Sequence, residues 1–240
     1  MKSESNFWAS ASDLMASCCF LFLILLSSLF MHLQEESKGF QDFREYVNEP
    51  KRAQTALLGD LAAMLKNQGL KVEVIPEQGI LRLQEPSWGF LPGKSHPPES
   101  QKEHLAKLAQ SLSTVMGCAV PNEHGYTRQS ICEKTPQHIY VCRQFKNVSL
   151  EGITIEGHTD NRPVLPTSGF QDNLALSAAR ASEVYRLLED CQPDMQNWHN
   201  EEGQKIMSVA GYADTRPAYS NPAHSGNRRI DIRIRLSTAS

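Results

Sequence analysis

The sequence predicts a mixed α/β or α+β sandwich domain that follows a single membrane-spanning helix. One long apolar run lies near the N-terminus, at residues 14–33, and no second run of that length follows. After it, segments that alternate apolar and polar residues are separated by segments with helical spacing. The chain of 240 residues is long enough for one full domain and an appendage.

Charge and composition exclude several classes of protein. Charged residues make up 21% of the chain and the formal net charge is −3, so the basic excess typical of nucleic-acid-binding proteins is missing. Six cysteines are too few for a mini-protein built on disulfides. The sequence has no nucleophile elbow, P-loop, zinc-protease or dinucleotide-binding motif. We therefore expect neither an enzyme nor a bound cofactor or metal.

The apolar run at residues 14–33, LMASCCFLFLILLSSLFMHL, has the length of a transmembrane helix, because a helix of this length rises about 30 Å. A cleaved signal peptide is one alternative, but SSLFMHLQ offers no small-residue cleavage site. A lipoprotein signal is another, but Cys18 precedes most of the run instead of following it. Lys2 lies before the run while Glu35 and Glu36 follow it. This charge pattern predicts that the N-terminus is cytoplasmic, with residues 1–13 forming the cytoplasmic N-terminus and the start of the membrane helix, and that the part after residue 33 is periplasmic.

Asp13 is an unusual residue at the start of this helix. Phe7 and Trp8 suit the membrane interface, which would place Asp13 about 8 Å deeper along the helix axis. A carboxylate at that depth costs several kcal/mol unless it faces a protein partner or water. Small residues on both sides of Asp13 favour close helix packing, and hence a buried position in an oligomer. A simple helix cap formed by Ser12 and Asp13 is the alternative interpretation.

The segment after the apolar run, residues 34–69, is predicted to be a juxtamembrane connector followed by a helix. Pro50 interrupts the helical pattern, so we expect the connector to extend to about residue 52 and the helix to span 53–67. Four leucines recur on one face of that helix: Leu57, Leu58, Leu61 and Leu65. Residues 70–240 then form the globular domain.

Strand and helix patterns follow one another through the globular domain. Strands are predicted at LKVEVIP, GILRLQE, GITIEG, KIMSVAGYAD and RRIDIRIRL. Helices are predicted at EHLAKLAQSLSTVMG and NLALSAARASEVYRLLEDC. The stretch 117–147 has no clean period and contains three of the cysteines.

Four motifs in the domain are found in the order ITIEGHTD, DNLALSAARASEVYRLL, VAGYADTRP and NRRIDIRI. In this order they resemble the OmpA-like peptidoglycan-binding domain, over roughly residues 70–240. The resemblance implies an α+β fold with a β/α/β/α sandwich. The N-terminal FWASASDLMASCCFLFLILLSSLFM resembles the single transmembrane helix of MotB-type stator subunits, in which an aromatic residue and then an essential Asp open the span. Both features together resemble the MotB architecture.

Within that architecture, FWASASD resembles ZorB-type membrane subunits of Zorya anti-phage defence systems, with flagellar MotB-like subunits as the nearest alternative. The resemblance implies a homodimer whose two helices lie inside a ring of a MotA-like (ZorA-like) multi-span partner, with a five-to-two ratio. Asp13 would then bind and release protons, since a carboxyl in a low-dielectric site can alternate between its two states. Sodium is an alternative ion. A passive wall anchor, in which Asp13 is dispensable, is an alternative function.

The resemblance also implies a binding site for diaminopimelate, a zwitterion in the peptidoglycan stems of many Gram-negative bacteria. The site residues that it gives are Asp160, Asn173, Leu176, Arg180 and Arg229. Asp160 would hold the ammonium group and Arg180 the carboxylate, because a guanidinium binds both carboxylate oxygens at once. Asn173 would hydrogen-bond the stem peptide and Leu176 would shape the pocket, with Arg229 preferred over Arg228 as a further ligand.

Each of these residues also has a structural interpretation. Asp160 could be a turn or cap residue, Arg180 could form an intradomain salt bridge, and Leu176 could belong to the core. Asp172 stands where the family commonly has an aromatic residue, a departure that could alter affinity or preference for the stem peptide.

Four cysteines of the predicted periplasmic domain could form two disulfides, with three possible connectivities. They are Cys118, Cys132, Cys142 and Cys191. A zinc site with His124 or His138 is the alternative, although the C-x-x-C spacing typical of such sites is missing.

Overall fold

The computed structural model describes residues 2–83, 88–121 and 148–238. Within them lie three α-helices and five β-strands. The helices are α1 (Lys2–Asn67), α2 (Lys102–Met116) and α3 (Asn173–Cys191). The strands are β1 (Val72–Ile75), β2 (Ile80–Leu83), β3 (Val148–Gly157), β4 (Met207–Gly211) and β5 (Ile230–Thr238). This mixture of helices and a mixed sheet confirms the predicted α+β class.

The chain divides into two compact units, Met1–Asn48 and Glu49–Ser240. The first unit is helical, and every large apolar side chain between residues 14 and 33 is exposed. One helix, from Leu14 onward, is long and apolar enough to cross a membrane by length and composition. Asp13 lies within α1, and its side chain lies outside the described part of the structure.

The predicted interruption at Pro50 is wrong, because α1 continues through this residue to Asn67. A proline inside a helix removes one hydrogen bond and costs about 3 kcal/mol. The residues after Pro50 offset this cost by packing: Leu57, Leu58, Leu61 and Leu65 are all fully buried in the core of the second unit. The Gln54 side chain also donates a hydrogen bond to the carbonyl oxygen of Ile234. The end of α1 is therefore part of the globular domain.

The five strands form one sheet in the order β1-β2-β5-β3-β4. Strands β3 and β4 are parallel, and α3 connects them, whereas the other neighbouring pairs are antiparallel. The longest strand, β3, is therefore hydrogen-bonded on one side to β5 and on the other side to β4. This arrangement places the start of α3 near the end of β3.

The two faces of the sheet differ in polarity. Ile153, Ile155, Ile232 and Ile234 are fully buried and belong to the hydrophobic core together with the helices. The residues that alternate with them point to the opposite face, because successive side chains of a strand alternate between faces. This second face carries charged groups that include Glu156, Asp231, Arg82 and Arg233.

Two glycines allow α3 to approach the sheet closely. Gly157 of β3 pairs with Gly211 of β4, and both face the first turns of α3. A Cβ atom on Gly157 would overlap the carbonyl oxygen of Ser177, and one on Gly211 would lie 2.7 Å from the backbone nitrogen of Ala178. Neither contact can be relieved by a side-chain rotation, since both involve helix backbone.

We expect Gly157→Ala to lower the free energy of unfolding of the domain by about 1–3 kcal/mol, because α3 must shift away from β3. Chemical denaturation followed by tryptophan fluorescence measures this loss. Gly59→Ala is the control, because nothing lies within 4 Å of a Cβ at this exposed helical position. It should stabilise the domain by about 0.5–1 kcal/mol. Equal effects of the two substitutions would contradict the close approach.

Candidate functional site

A cleft of about 380 Å³ lies where the loop after β3 meets the start of α3. The loop contributes Thr159, Asp160 and Arg162, and the helix contributes Asn173, Leu176 and Arg180. Pro92, Gly93 and Arg228 also line the cleft, together with the apolar segment 163–165. Four of the five predicted site residues therefore meet in one cleft. They are Asp160, Asn173, Leu176 and Arg180.

Asp160 is buried and carries the negative charge of the cleft. Its Oδ2 atom accepts hydrogen bonds from Arg162 Nε at 2.9 Å, from Arg162 Nη2 at 2.6 Å and from Arg228 Nη1 at 2.9 Å. Among the described residues, its Oδ1 atom accepts only one long hydrogen bond, from the backbone nitrogen of Arg162 at 3.4 Å. One carboxylate oxygen thus remains available to a further donor.

The Asp160 carboxyl is ionised at neutral pH. Burial alone would raise the pKa of Asp160, but the hydrogen bonds and positive charges of Arg162 and Arg228 outweigh burial and hold that pKa below its usual value. Of the charged residues lining the cleft, one is a carboxylate and three are guanidiniums, those of Arg162, Arg180 and Arg228. The cleft therefore has an excess of positive charge.

Arg180 is buried on α3. Its Nε donates to the carbonyl oxygen of Lys94 at 2.9 Å, and its Nη2 donates to that of Leu91 at 3.2 Å. The guanidinium carbon lies 4.7 Å from the centre of the Phe90 ring. Nη1 is buried and has no hydrogen-bond partner in the described parts of the chain. Burial, together with the charge of Arg228, lowers the pKa of Arg180 to about 10, so the side chain is still charged at neutral pH.

Asn173 and Leu176 occupy the first turn of α3 and shape the cleft in different ways. Asn173 Nδ2 donates to the backbone carbonyls of Asp160 at 3.3 Å and of Arg162 at 3.0 Å. It therefore fixes the loop that carries Asp160. Leu176 is buried and lines the cleft wall.

Asp172 is the N-cap of α3. Its Oδ1 accepts a hydrogen bond from the backbone nitrogen of Ala175 at 2.7 Å, which satisfies one of the free amides at the start of the helix. Capping of α3 therefore accounts for an aspartate at this position. The side chain of Asp172 does not line the cleft.

The structure places Arg229 apart from the other predicted site residues. Arg229 does not line the cleft; its Nε donates to Asp231 Oδ2 at 3.0 Å and its Nη2 to the carbonyl oxygen of Arg216 at 2.9 Å. Arg228 lines the cleft and contacts Asp160 instead. Of these two neighbouring arginines, the structure therefore brings Arg228 and not Arg229 to the cleft.

Two contributors to the cleft were missed from the sequence. Arg162 follows the GHTD motif by two residues and carries the strongest contact to Asp160. The segment 90–94 supplies the two carbonyls and the ring that surround Arg180. The only sequence signal for this segment is its proline and glycine content, which indicates a loop but does not indicate that the loop contacts Arg180.

A buried polar cluster lies on the second, charged face of the sheet, with His158 between Glu156 and Asp231. Ligand atoms of the three residues lie within 4.8 Å of one another. Both carboxylates already pair with guanidiniums: Asp231 with Arg82 and Arg229, and Glu156 with Arg233. This cluster therefore resembles an internal ion-pair network more than a cation site.

His158 makes the domain sensitive to acid. Burial, followed by the charge of Arg229, lowers the pKa of His158 to about 3. The unfolded state therefore binds a proton more readily, and the stability present above about pH 6.5 is lost progressively as the pH falls toward 3. We expect the free energy of unfolding to fall by about 2 kcal/mol between pH 7.5 and pH 5 from this residue.

Urea denaturation at the two pH values tests the His158 prediction. His158→Gln should remove about 2 kcal/mol of the pH-dependent loss, whatever its effect on stability at pH 7.5. His199→Gln makes the same change at an exposed position and is the control for the substitution itself. An unchanged pH dependence in His158→Gln would show that other groups cause the loss.

The cysteines differ in state. Cys118 is disulfide-bonded and Cys191 is a free, exposed thiol. The expectation of two disulfides that include Cys191 is therefore wrong: this residue ends α3 at the surface, without a bonded partner. Cys132 and Cys142 lie outside the described residues, as do His124 and His138 of the alternative zinc site.

Comparisons with known proteins give structural likenesses only. No protein-family model matches the sequence, and no curated protein matches it. The fold is similar to a MotB-like protein from Desulfovibrio vulgaris, at 16% identity and a TM-score of 0.48, covering 81% of this chain and 98% of that one. It is also similar to the cell wall anchor of the T6SS from Pseudomonas aeruginosa, at 21% identity and a TM-score of 0.45, covering 77% and 97%.

A third similar structure is the periplasmic domain of Helicobacter pylori MotB, at 20% identity and a TM-score of 0.43, covering 70% of this chain and 82% of that one. At these identities and TM-scores, no function is transferred to the chain from any of the three proteins.

Proposed function

We propose that the domain of residues 49–240 binds the stem peptide of peptidoglycan through the cleft around Asp160 and Arg180. The observation that carries this proposal is a pair of buried donors without partners among the described residues. They are Arg180 Nη1 and Thr159 Oγ1, and both residues line the same cleft as Asp160. A buried donor without a partner costs about 1–3 kcal/mol, and a ligand carboxylate would remove this cost.

The zwitterion of diaminopimelate matches the charges of the cleft. Its carboxylate would accept from Arg180 Nη1, and its ammonium would donate to Asp160 Oδ1, the oxygen with only one long contact. Because Arg180 Nη1 is buried, the segment 91–94 that covers the guanidinium must move outward when the ligand enters. The excess of positive charge in the cleft makes the carboxylate the main determinant of affinity.

The other cleft residues have supporting roles in this proposal. Asn173 fixes the loop that carries Asp160, and its side-chain Oδ1 can accept a hydrogen bond from the stem peptide. Leu176 forms the apolar wall beside the ligand. Arg228 replaces Arg229 as a cationic residue of the site beside Arg162 and Arg180, since of the pair Arg228 and Arg229 it is Arg228 that contacts Asp160.

Sedimentation with purified peptidoglycan sacculi tests wall binding. The full chain in detergent should sediment with sacculi that contain diaminopimelate and remain in solution with sacculi that contain lysine at the same position. The second sacculus lacks the side-chain carboxylate while it keeps the polymer. Equal sedimentation with both would exclude the diaminopimelate site.

We further propose that the chain is a single-pass inner-membrane subunit of an ion-driven, stator-type complex, with a periplasmic wall-binding domain. The exposed apolar segment 14–33 and the position of Asp13 at its start support this function. Two copies of the helix would lie within a MotA-like ring of five copies, and protons would load and leave Asp13. The FWASASD sequence supports a ZorB-like role in anti-phage defence, in which movement of the ring would signal invasion of the envelope.

The composition of the detergent-solubilised complex tests the motor proposal. The tagged chain, expressed with its genomic neighbours, should be recovered with a multi-span partner at a mass that corresponds to five partner copies and two copies of this chain. Recovery of the chain alone, or as a bare dimer, would leave a passive wall anchor as its function.

A further inference from the structure

A second cavity lies behind Arg228, separate from the cleft around Asp160. Its volume is about 230 Å³, well above the roughly 30 Å³ that one water occupies in the liquid. Three arginines, Arg82, Arg228 and Arg229, line the cavity together with Trp88 and with Tyr219 and His224. The last two rings stack with their centres 4.1 Å apart. Within the described part of the chain, Arg228 is the one residue in the lining of both the cavity and the cleft.

Three of the residues that line this cavity carry buried donors without partners. They are Trp88 Nε1, Arg228 Nε and Arg229 Nη1, for which the described residues offer no acceptor. Buried donors are paired in most native structures, and each unpaired one has a cost of about 1–3 kcal/mol. Three of them around one cavity favour an acceptor that is not among the described residues.

The charge around the cavity also favours an anion. No acidic side chain lines it among the described residues. Asp231 lies behind the wall and is shared by Arg82 and Arg229, with contacts of 3.0 Å to each. Asp160 is likewise shared by Arg228 and Arg162. Four guanidiniums therefore share two buried carboxylates. Glu73 adds one exposed contact, 3.4 Å from its carboxylate to Arg82.

From these donors and charges we infer that the cavity binds a small oxyanion, of the carboxylate or phosphate class. Trp88 Nε1, Arg228 Nε and Arg229 Nη1 donate to its oxygens. The oxyanion site does not depend on the proposed wall binding, since its residues and donors are distinct from Arg180 and Thr159. The stacked rings of Tyr219 and His224 close one side of the cavity.

Arg228 couples the oxyanion site to the cleft. Its Nη1 contacts Asp160 at 2.9 Å, whereas its Nε has no described partner. An oxyanion that binds Nε attracts the guanidinium toward the cavity and weakens its pairing with Asp160. The Asp160 carboxylate is then more available to a cationic group in the cleft. The two sites therefore favour each other when one ligand is an anion and the other a cation.

Inorganic phosphate is the first probe, and the indole N–H signals of the full chain in detergent are the readout. The chain has three tryptophans, Trp8, Trp88 and Trp198, and single Phe substitutions assign their signals. Phosphate should shift the Trp88 signal in a saturable way and leave that of Trp198, which belongs to the core, unchanged. Absence of a saturable Trp88 shift would overturn the oxyanion site.

Trp88→Phe removes one donor and keeps an aromatic ring against Phe90. In the wild type the two rings meet edge-on, with their centres 5.8 Å apart. Calorimetry should show phosphate binding about tenfold weaker than in the wild type, as expected for the loss of a hydrogen bond to a charged group. Trp8→Phe, the same change in the unit Met1–Asn48, should bind phosphate like the wild type. Equal affinity of Trp88→Phe and Trp8→Phe would overturn the assignment of the donor.

The source of the oxyanion is distinguished with a synthetic stem tripeptide, L-Ala–γ-D-Glu–diaminopimelate. If the cavity takes the α-carboxylate of D-Glu, the tripeptide shifts the Trp88 signal, and its form amidated at that carboxylate does not. If phosphate alone shifts the signal, the site is for a free anion. Either result supports an oxyanion site. If the wall proposal alone is wrong, the chain does not sediment with sacculi, but phosphate still shifts the Trp88 signal.

Discussion

Arg180→Gln should weaken binding of the full chain to sacculi that contain diaminopimelate by about 100-fold. The substitution removes the charge whose free Nη1 is proposed to receive the ligand carboxylate, and a lost contact of this kind costs about 2–5 kcal/mol. The quantity to measure is the sacculus concentration at which half of the protein sediments. Arg186→Gln is the matched control, since Arg186 lies on the same helix with an exposed side chain. It should bind like the wild type.

A structural role of Arg180 must be separated from contact with the ligand, because its hydrogen bonds also hold the segment 91–94. A stem peptide amidated at the diaminopimelate carboxylate provides the second half of a double-mutant cycle. Amidation should weaken binding to the wild type and have little further effect on Arg180→Gln. If the losses of binding free energy from Arg180→Gln and from amidation are fully additive, Arg180 acts only through the fold.

Asp13→Asn should reduce proton flux through the assembled complex to background while the complex still forms. Asparagine keeps the size of the side chain but cannot alternate between a neutral and a charged state, which the proposed ion transfer requires. Flux is measured in proteoliposomes with a pH-sensitive dye, and assembly by the recovered ratio of partner to this chain.

Glu36→Gln is the control for Asp13→Asn, because it removes a carboxylate from the same helix beyond the apolar segment. It should leave flux and assembly as they are in the wild type. Wild-type flux in Asp13→Asn would exclude this residue as the ion carrier and favour the passive anchor. Sodium and proton gradients applied separately would identify the ion.

Much of the cleft could be predicted from the sequence because its residues sit in two continuous motifs. GHTD ends a strand, and NLALSAARA begins the helix that follows, so Asp160 and Arg180 are positioned by local structure and one parallel strand pair. Arg228 and Arg229 could not be separated in this way. Which of the two faces Asp160 depends on how the chain enters β5, and adjacent residues differ only in tertiary contacts.

The errors have a common origin in tertiary packing. Pro50 is a poor helix residue locally, yet the leucines that follow it are buried in the core and α1 continues. Cysteine count alone suggested two disulfides, but Cys191 lies exposed at the end of α3. Trp88 gave no signal at all from the sequence, since its proposed role depends in part on Arg228 and Arg229, more than 100 residues further along the chain.

The position of β3 between two neighbours has a mechanical consequence. Asp160 lies three residues beyond Gly157, the last residue of β3, so a ligand held there pulls on the end of this inner strand. Hydrogen bonds between strands run across the strand direction, and β3 has them on both sides, to β5 and to β4. Tension directed along β3 would therefore load both ladders in shear, with many bonds sharing the force. Such an attachment point resists rupture far better than an edge strand, whose bonds can open one after another.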